Sequence, residues 1–139
     1  MRLTTICCKS LTSLLLLAGM QAANANALDD YRVAFAHAIY AATPAWVHNH
    51  NPQPLLRAVV VLRLHMGADH HMQAEVIRTN DTQPEMLQRA LTTVRRAVAP
   101  TPPSSVQSEL MNEGFMETWL FDSDGTFQVR TLAKPQRSS

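Results

Sequence analysis

Beyond residue 8 this 139-residue chain has no cysteine; Cys7 and Cys8 are its only two. The rest of the chain therefore has no disulfide, no thiol nucleophile and no thiolate metal site. No run of basic residues occurs, which sets nucleic acid aside as a partner. There is no G-x-S-x-G elbow, and Ser104, Ser105, Ser108 and Ser123 stand in no nucleophile motif. Glu109, Glu113 and Glu117 are the nearest approach to paired catalytic carboxylates. The four-residue step from Glu109 to Glu113 is more simply a solvated helical turn. No catalytic residue is assigned, an enzyme is not expected, and no cofactor is called for. Only one long apolar run exists, and it lies at the start.

That run has the organisation of an export signal. Arg2 and Lys9 give a positive beginning, Leu11 to Met20 are mostly apolar, and Ala25-Asn26-Ala27 is a small-x-small cleavage signature. The run is shorter than the roughly 20 residues of a permanent membrane helix. Leu16-Leu17-Ala18-Gly19 resembles the start of a lipoprotein box, but Met20 stands where the lipid-bearing cysteine is required. We therefore expect a cleavable signal over residues 1–27 and export to a bacterial periplasm. A single domain over 28–134 and a frayed polar tail over 135–139 follow, with no stable membrane insertion after cleavage. Cleavage removes two of the 12 Lys+Arg and none of the 11 Asp+Glu, leaving 10 against 11 and a charge of −1.

The remaining sequence divides into four pieces. Tyr31, Phe35, Ala38, Ile39 and Ala42 recur at helical spacing, with Asp29 and Asp30 at the favourable N-terminal end and Pro44 as the stop. Residues 43–55, rich in Pro and Asn, form a loop. From Ala58 to Met66 and from Met72 to Val76 the even positions are apolar, which predicts a hairpin with one buried face. Keeping even residues on one face requires paired numbers with an even sum. A sum of 138 leaves a short loop at 68–70, pairs Met66 with Met72 and Leu62 with Val76, and sets Arg63 opposite Glu75. Thr82-Gln83-Pro84-Glu85 reads as a capping box opening a helix to about Val98, with Leu87, Ala90, Leu91, Val94 and Val98 inward and Met86 partly exposed. The prolines after it end that helix, and a loop follows with a short turn at 105–112. A second hairpin joins Phe115–Phe121 to Thr126–Leu132 around Asp122-Ser123-Asp124-Gly125. A sum of 248 pairs Phe121 with Phe127 and Trp119 with Val129. The expected fold is α+β: a four-stranded antiparallel sheet of two hairpins with two helices on one face, in the order α-ββ-α-ββ.

This order resembles the C-terminal domain shared by TonB and TolA. The hairpin around Val59–Ile77, the helix around Pro84–Val98, the strand Phe115–Phe121, the Leu55-Leu56-Arg57-Ala58-Val59 segment and the Trp119-Leu120-Phe121…Gly125…Phe127-Gln128 ending carry the likeness to small exported TonB-C-like proteins of proteobacteria. The resemblance implies a periplasmic interaction module whose sheet edge accepts a strand from a periplasmic or outer-membrane protein, or from a second copy to form a homodimer. Starting so near the expected cleavage site, the domain is not expected to transmit force as an anchored energy transducer. With Thr126–Leu132 occupying the edge beside Phe115–Phe121, a partner strand is expected to pair with Thr126–Leu132. Thr126, Gln128 and Arg130, together with Trp46 in the first loop, are the candidate partner-binding residues. Trp119, sharing a face with Phe121 and Phe127, is expected in the core. The alternative is a small metal- or pH-responsive protein using His65, His70 and His71 at the tip of the first hairpin. His48 and His50 lie in the Pro-rich loop.

Overall fold

A computed structural model of the chain describes residues 11–135. Cys7, Cys8 and residues 136–139 lie outside the described residues, as does the start of the expected signal. The elements are helix α1 (Leu11–Ala42), strands β1 (Ala58–Met66) and β2 (Met72–Arg78), helices α2 (Pro84–Arg96) and α3 (Ser104–Asn112), and strands β3 (Phe115–Phe121) and β4 (Phe127–Val129). Single 3-10 turns sit at Pro44–Trp46 and Arg130–Leu132. The sheet is antiparallel in the order β2-β1-β3-β4. The architecture is therefore the expected α+β, with a third helix added between the hairpins.

Both hairpin registers follow from alternation. Leu62 pairs with Val76, Leu64 with Ala74 and Met66 with Met72, a sum of 138 throughout, with Arg63 opposite Glu75. Those two side chains form an exposed ion pair at 3.6 Å. The second hairpin keeps the sum of 248 through Trp119↔Val129 and Phe121↔Phe127. Its turn closes with Gly125 N–H donating to Asp122 O at 3.0 Å, and Gly125 takes a positive φ of 81° that an L side chain rarely adopts. The register of the first hairpin slips between Val61 and Leu62, so that Val61 faces Arg78 and Ile77 is bulged out.

The core lies between the even face of β1 and the helices. Val60, Leu62 and Leu64 meet Phe35 and Ile39 of α1, Met86 and Ala90 of α2, Val106 and Leu110 of α3, and Trp119, Phe121 and Phe127 of the second hairpin. The buried indole of Trp119 has its polar group paired. Trp119 Nε1–H donates to Thr93 Oγ1 at 3.0 Å, and that hydroxyl donates to Ala90 O at 2.7 Å, so neither group is left unpaired in a dry interior.

Several expectations change. Within the described residues α1 runs unbroken from Leu11, with residues 22–26 exposed and Ala27 and Leu28 packed against the core. The short turn at 105–112 is the nine-residue helix α3, which buries Val106 and Leu110 one turn apart. There is no capping box: the cap position of α2 is Gln83, and the Thr82 hydroxyl and N–H both turn back to Asn80 Oδ1. Helix α2 ends at Arg96, which leaves Val98 beyond it and 84% exposed, whereas Met86 faces inward and is buried. The last strand spans three residues rather than seven, because Arg130–Leu132 curls into a 3-10 turn.

Candidate functional site

The two edges of the sheet differ in what their backbones meet. At the β4 edge, Leu120 lies opposite Gln128, and Phe127 and Val129 turn their polar groups outward. Phe127 O accepts from His48 N–H at 2.8 Å, and the Val129 N–H donates to Tyr40 Oη at 3.1 Å. Val47 forms a parallel bridge with Phe127. Just beyond, Thr131 N–H donates to Glu117 Oε1 at 3.3 Å. The loop after α1 thus lies along this edge and blocks it.

Gln128 fastens that loop. Its side chain is buried, and its Nε2 donates to both His48 O and His50 O, while Lys134 N–H donates to Oε1. His48 is held from the side as well. Its Nδ1 lies 2.9 Å from Asp122 Oδ2 and 3.1 Å from Thr126 Oγ1, and Asp122 is almost fully buried. Gln53 N–H donates to the other oxygen of Asp122 at 3.3 Å. Thr126 donates through hydroxyl and N–H to Asp124, which holds that carboxyl below the usual carboxylate range. Tyr40 is pushed up, first by burial; the Val129 N–H opposes this and the nearby Glu117 charge adds to it.

The β2 edge is different. Gly67 N–H donates to His71 O at 2.9 Å, which marks residues 67 and 71 as a hydrogen-bonded pair. By the alternation of an antiparallel ladder, Gln73 and Glu75 then aim their backbone groups at β1, and Met72, Ala74 and Val76 aim theirs outward. Among the described residues no other segment hydrogen-bonds to those outward N–H and C=O groups. The strand contains no proline and two charged side chains, Glu75 and Arg78, with Val76 and Ile77 each more than two-fifths exposed. The open edge is therefore a seven-residue strand with few of the devices that blunt edges.

The expected partner residues fall as follows. Thr126 and Gln128 both engage the loop from inside: Thr126 braces His48, and Gln128 clamps two carbonyls. Trp46 is half-buried between the guanidinium groups of Arg89 and Arg96, 5.1 and 4.9 Å from its ring centre. Arg130 is exposed at the 3-10 turn. The expectation that a partner strand pairs with Thr126–Leu132 is thus corrected, because the outward groups of Phe127 and Val129 already have intramolecular partners. At the first hairpin tip, His65 engages Gln73 Oε1 at 3.2 Å, His71 Nδ1 lies 3.4 Å from Asp69, and His70 takes a φ of 62°. The three do not converge: among the described residues, no three or more His, Cys, Asp or Glu side chains form a metal-holding group. The 138 register fixed how β2 pairs with β1, but that β2 is an edge depends on the β1–β3 pairing, and the closure of β4 depends on contacts some 80 residues apart in sequence. Among the described residues no helix is long and apolar enough to cross a membrane. No protein-family model matches this chain, and neither does any curated protein or solved structure.

Proposed function

We propose that this chain is an exported protein-interaction module of TonB C-terminal type, acting in the bacterial periplasm by accepting a partner strand at the β2 edge. The observation that carries the reading is the asymmetry of the sheet: Phe127 and Val129 are occupied at one edge, and among the described residues the outward backbone groups of Met72, Ala74 and Val76 have no partner at the other. An extended segment laid against β2 gains main-chain hydrogen bonds with groups that otherwise meet only water. Export rests on the arrangement of Arg2, Lys9, the Leu11–Met20 run and Ala25-Asn26-Ala27. The reading contains no catalytic step and no cofactor.

The test is capture from a periplasmic extract with the full chain and with Ala74→Pro. Proline removes an outward N–H and leaves the β1 ladder its own donors. Expected is a partner held by the unaltered chain and lost by Ala74→Pro, with amide exchange at Ala74 and Val76 slowed in the complex. A partner held equally by both, with those amides still exchanging freely, refutes strand addition at β2.

A further inference from the structure

Loops that merely cover a sheet edge do not need their side chains oriented, yet the His48-Asn49-His50 segment has its backbone held and its His48 ring fixed, with the His50 ring packed beside it. Gln128 Nε2 grips the carbonyls of His48 and His50, and His48 N–H is bonded to Phe127 O. The His48 ring is set by Asp122, which is 1% exposed and 2.9 Å from Nδ1. The His50 ring stands edge-on to it, with ring centres 5.8 Å apart and planes at 80°. We propose that His48 and His50 form a two-nitrogen site for a late first-row divalent metal ion, Cu2+ foremost. The site is independent of the strand-addition reading.

Four physical points support it. With Nδ1 committed to Asp122, Nε2 is the His48 nitrogen left for a ligand; among the described residues it makes no hydrogen bond. A carboxylate on the far nitrogen is the partner that metal-bound imidazoles usually have, because it fixes the tautomer and raises the basicity of the ligating nitrogen. Two imidazoles bound to one ion at about 2 Å have ring centres roughly 4.5–6.4 Å apart as the ligand angle opens from about 90° to 180°, and the observed pair lies inside that range. Two nitrogens completed by solvent oxygens make the tetragonal N,O set that suits Cu2+, the divalent ion such ligands hold most tightly. The local field contains Asp122 and Asp124 on the favourable side and Lys134, whose Nζ donates to Asn49 O at 2.9 Å, on the other.

The test uses the full chain carrying Cys7→Ser and Cys8→Ser, so that thiols do not compete, and Cu2+ alone as the probe. Calorimetric titration is expected to give one ion per chain, and the electron paramagnetic resonance spectrum to show hyperfine coupling to two imidazole nitrogens. His50→Gln, at an exposed position, should weaken binding at least tenfold, and Asp122→Asn by roughly 10- to 100-fold. The double change His70→Gln with His71→Gln should leave both readouts unaltered. Binding indifferent to His50→Gln, or abolished by the hairpin-tip double change, overturns the assignment.

Discussion

Replacing Gln128 by alanine tests whether the β4 edge is closed by one side chain. The amide makes two donor bonds, to His48 O and His50 O, and accepts one from Lys134 N–H, all from a buried position. A buried polar group stripped of its partner costs about 1–3 kcal/mol. The two carbonyls lie on a loop with exposed neighbours, so water re-solvates them in part and the lower end applies to each. A loss of about 2–3 kcal/mol in all follows. For a domain of this length about 1 kcal/mol moves Tm by roughly 4 °C, so the thermal midpoint should fall by roughly 8–12 °C. Gln128→Glu should do at least as much harm, since it sets an acceptor against two acceptors. The local signature is sharper than the global one: His48 N–H should exchange with solvent much faster, because its loop is no longer tied down by Gln128, whereas Val129 N–H keeps its bond to Tyr40 Oη on α1. A midpoint within about 2 °C of the unaltered protein, with His48 N–H protection unchanged, would refute the clamp.

Gly114 sits at φ 67° between α3 and β3, where an added Cβ would fall inside the carbonyl of Leu64, so Gly114→Ala should cost at least about 3 kcal/mol in urea denaturation through strain and overpacking. Burial raises Tyr31 and Tyr40 above the usual tyrosine range. The folded state therefore holds these phenolic protons more tightly than the unfolded chain, their contribution is complete below about pH 10, and it is lost as pH climbs above that through the folded values. Urea midpoints between neutral and strongly alkaline pH should fall, and the fall should flatten in the Tyr31→Phe, Tyr40→Phe double variant.

What could be read in advance was what short-range physics decides. Alternating apolar residues and a turn of limited length leave one register for each hairpin, which is why Arg63 meets Glu75 and Phe121 meets Phe127. Trp119 in the core follows from the same alternation. Helix α3 escaped because Val106 and Leu110 give a single i, i+4 step after three prolines, too little to set apart from a turn. The capping box failed because Asn80 offers Thr82 a nearer acceptor. Strand β4 stops early because the Thr131 N–H is taken by the Glu117 side chain. The assignment of Thr126, Gln128 and Arg130 to partner binding assumed a bare last edge. No local pattern announces that a glutamine at 128 will hold carbonyls at 48 and 50.

A sheet with one open edge has a binding valence of one. Two copies joined through β2 would form a continuous eight-stranded sheet whose outer limits are both β4, each already capped by its own loop. Among the described residues such a pair leaves no free rim on which a third copy could grow. The His48–Gln128 clasp would then act as a chain terminator, limiting pairing through β2 to two members and withholding the repeating rim that fibrils require.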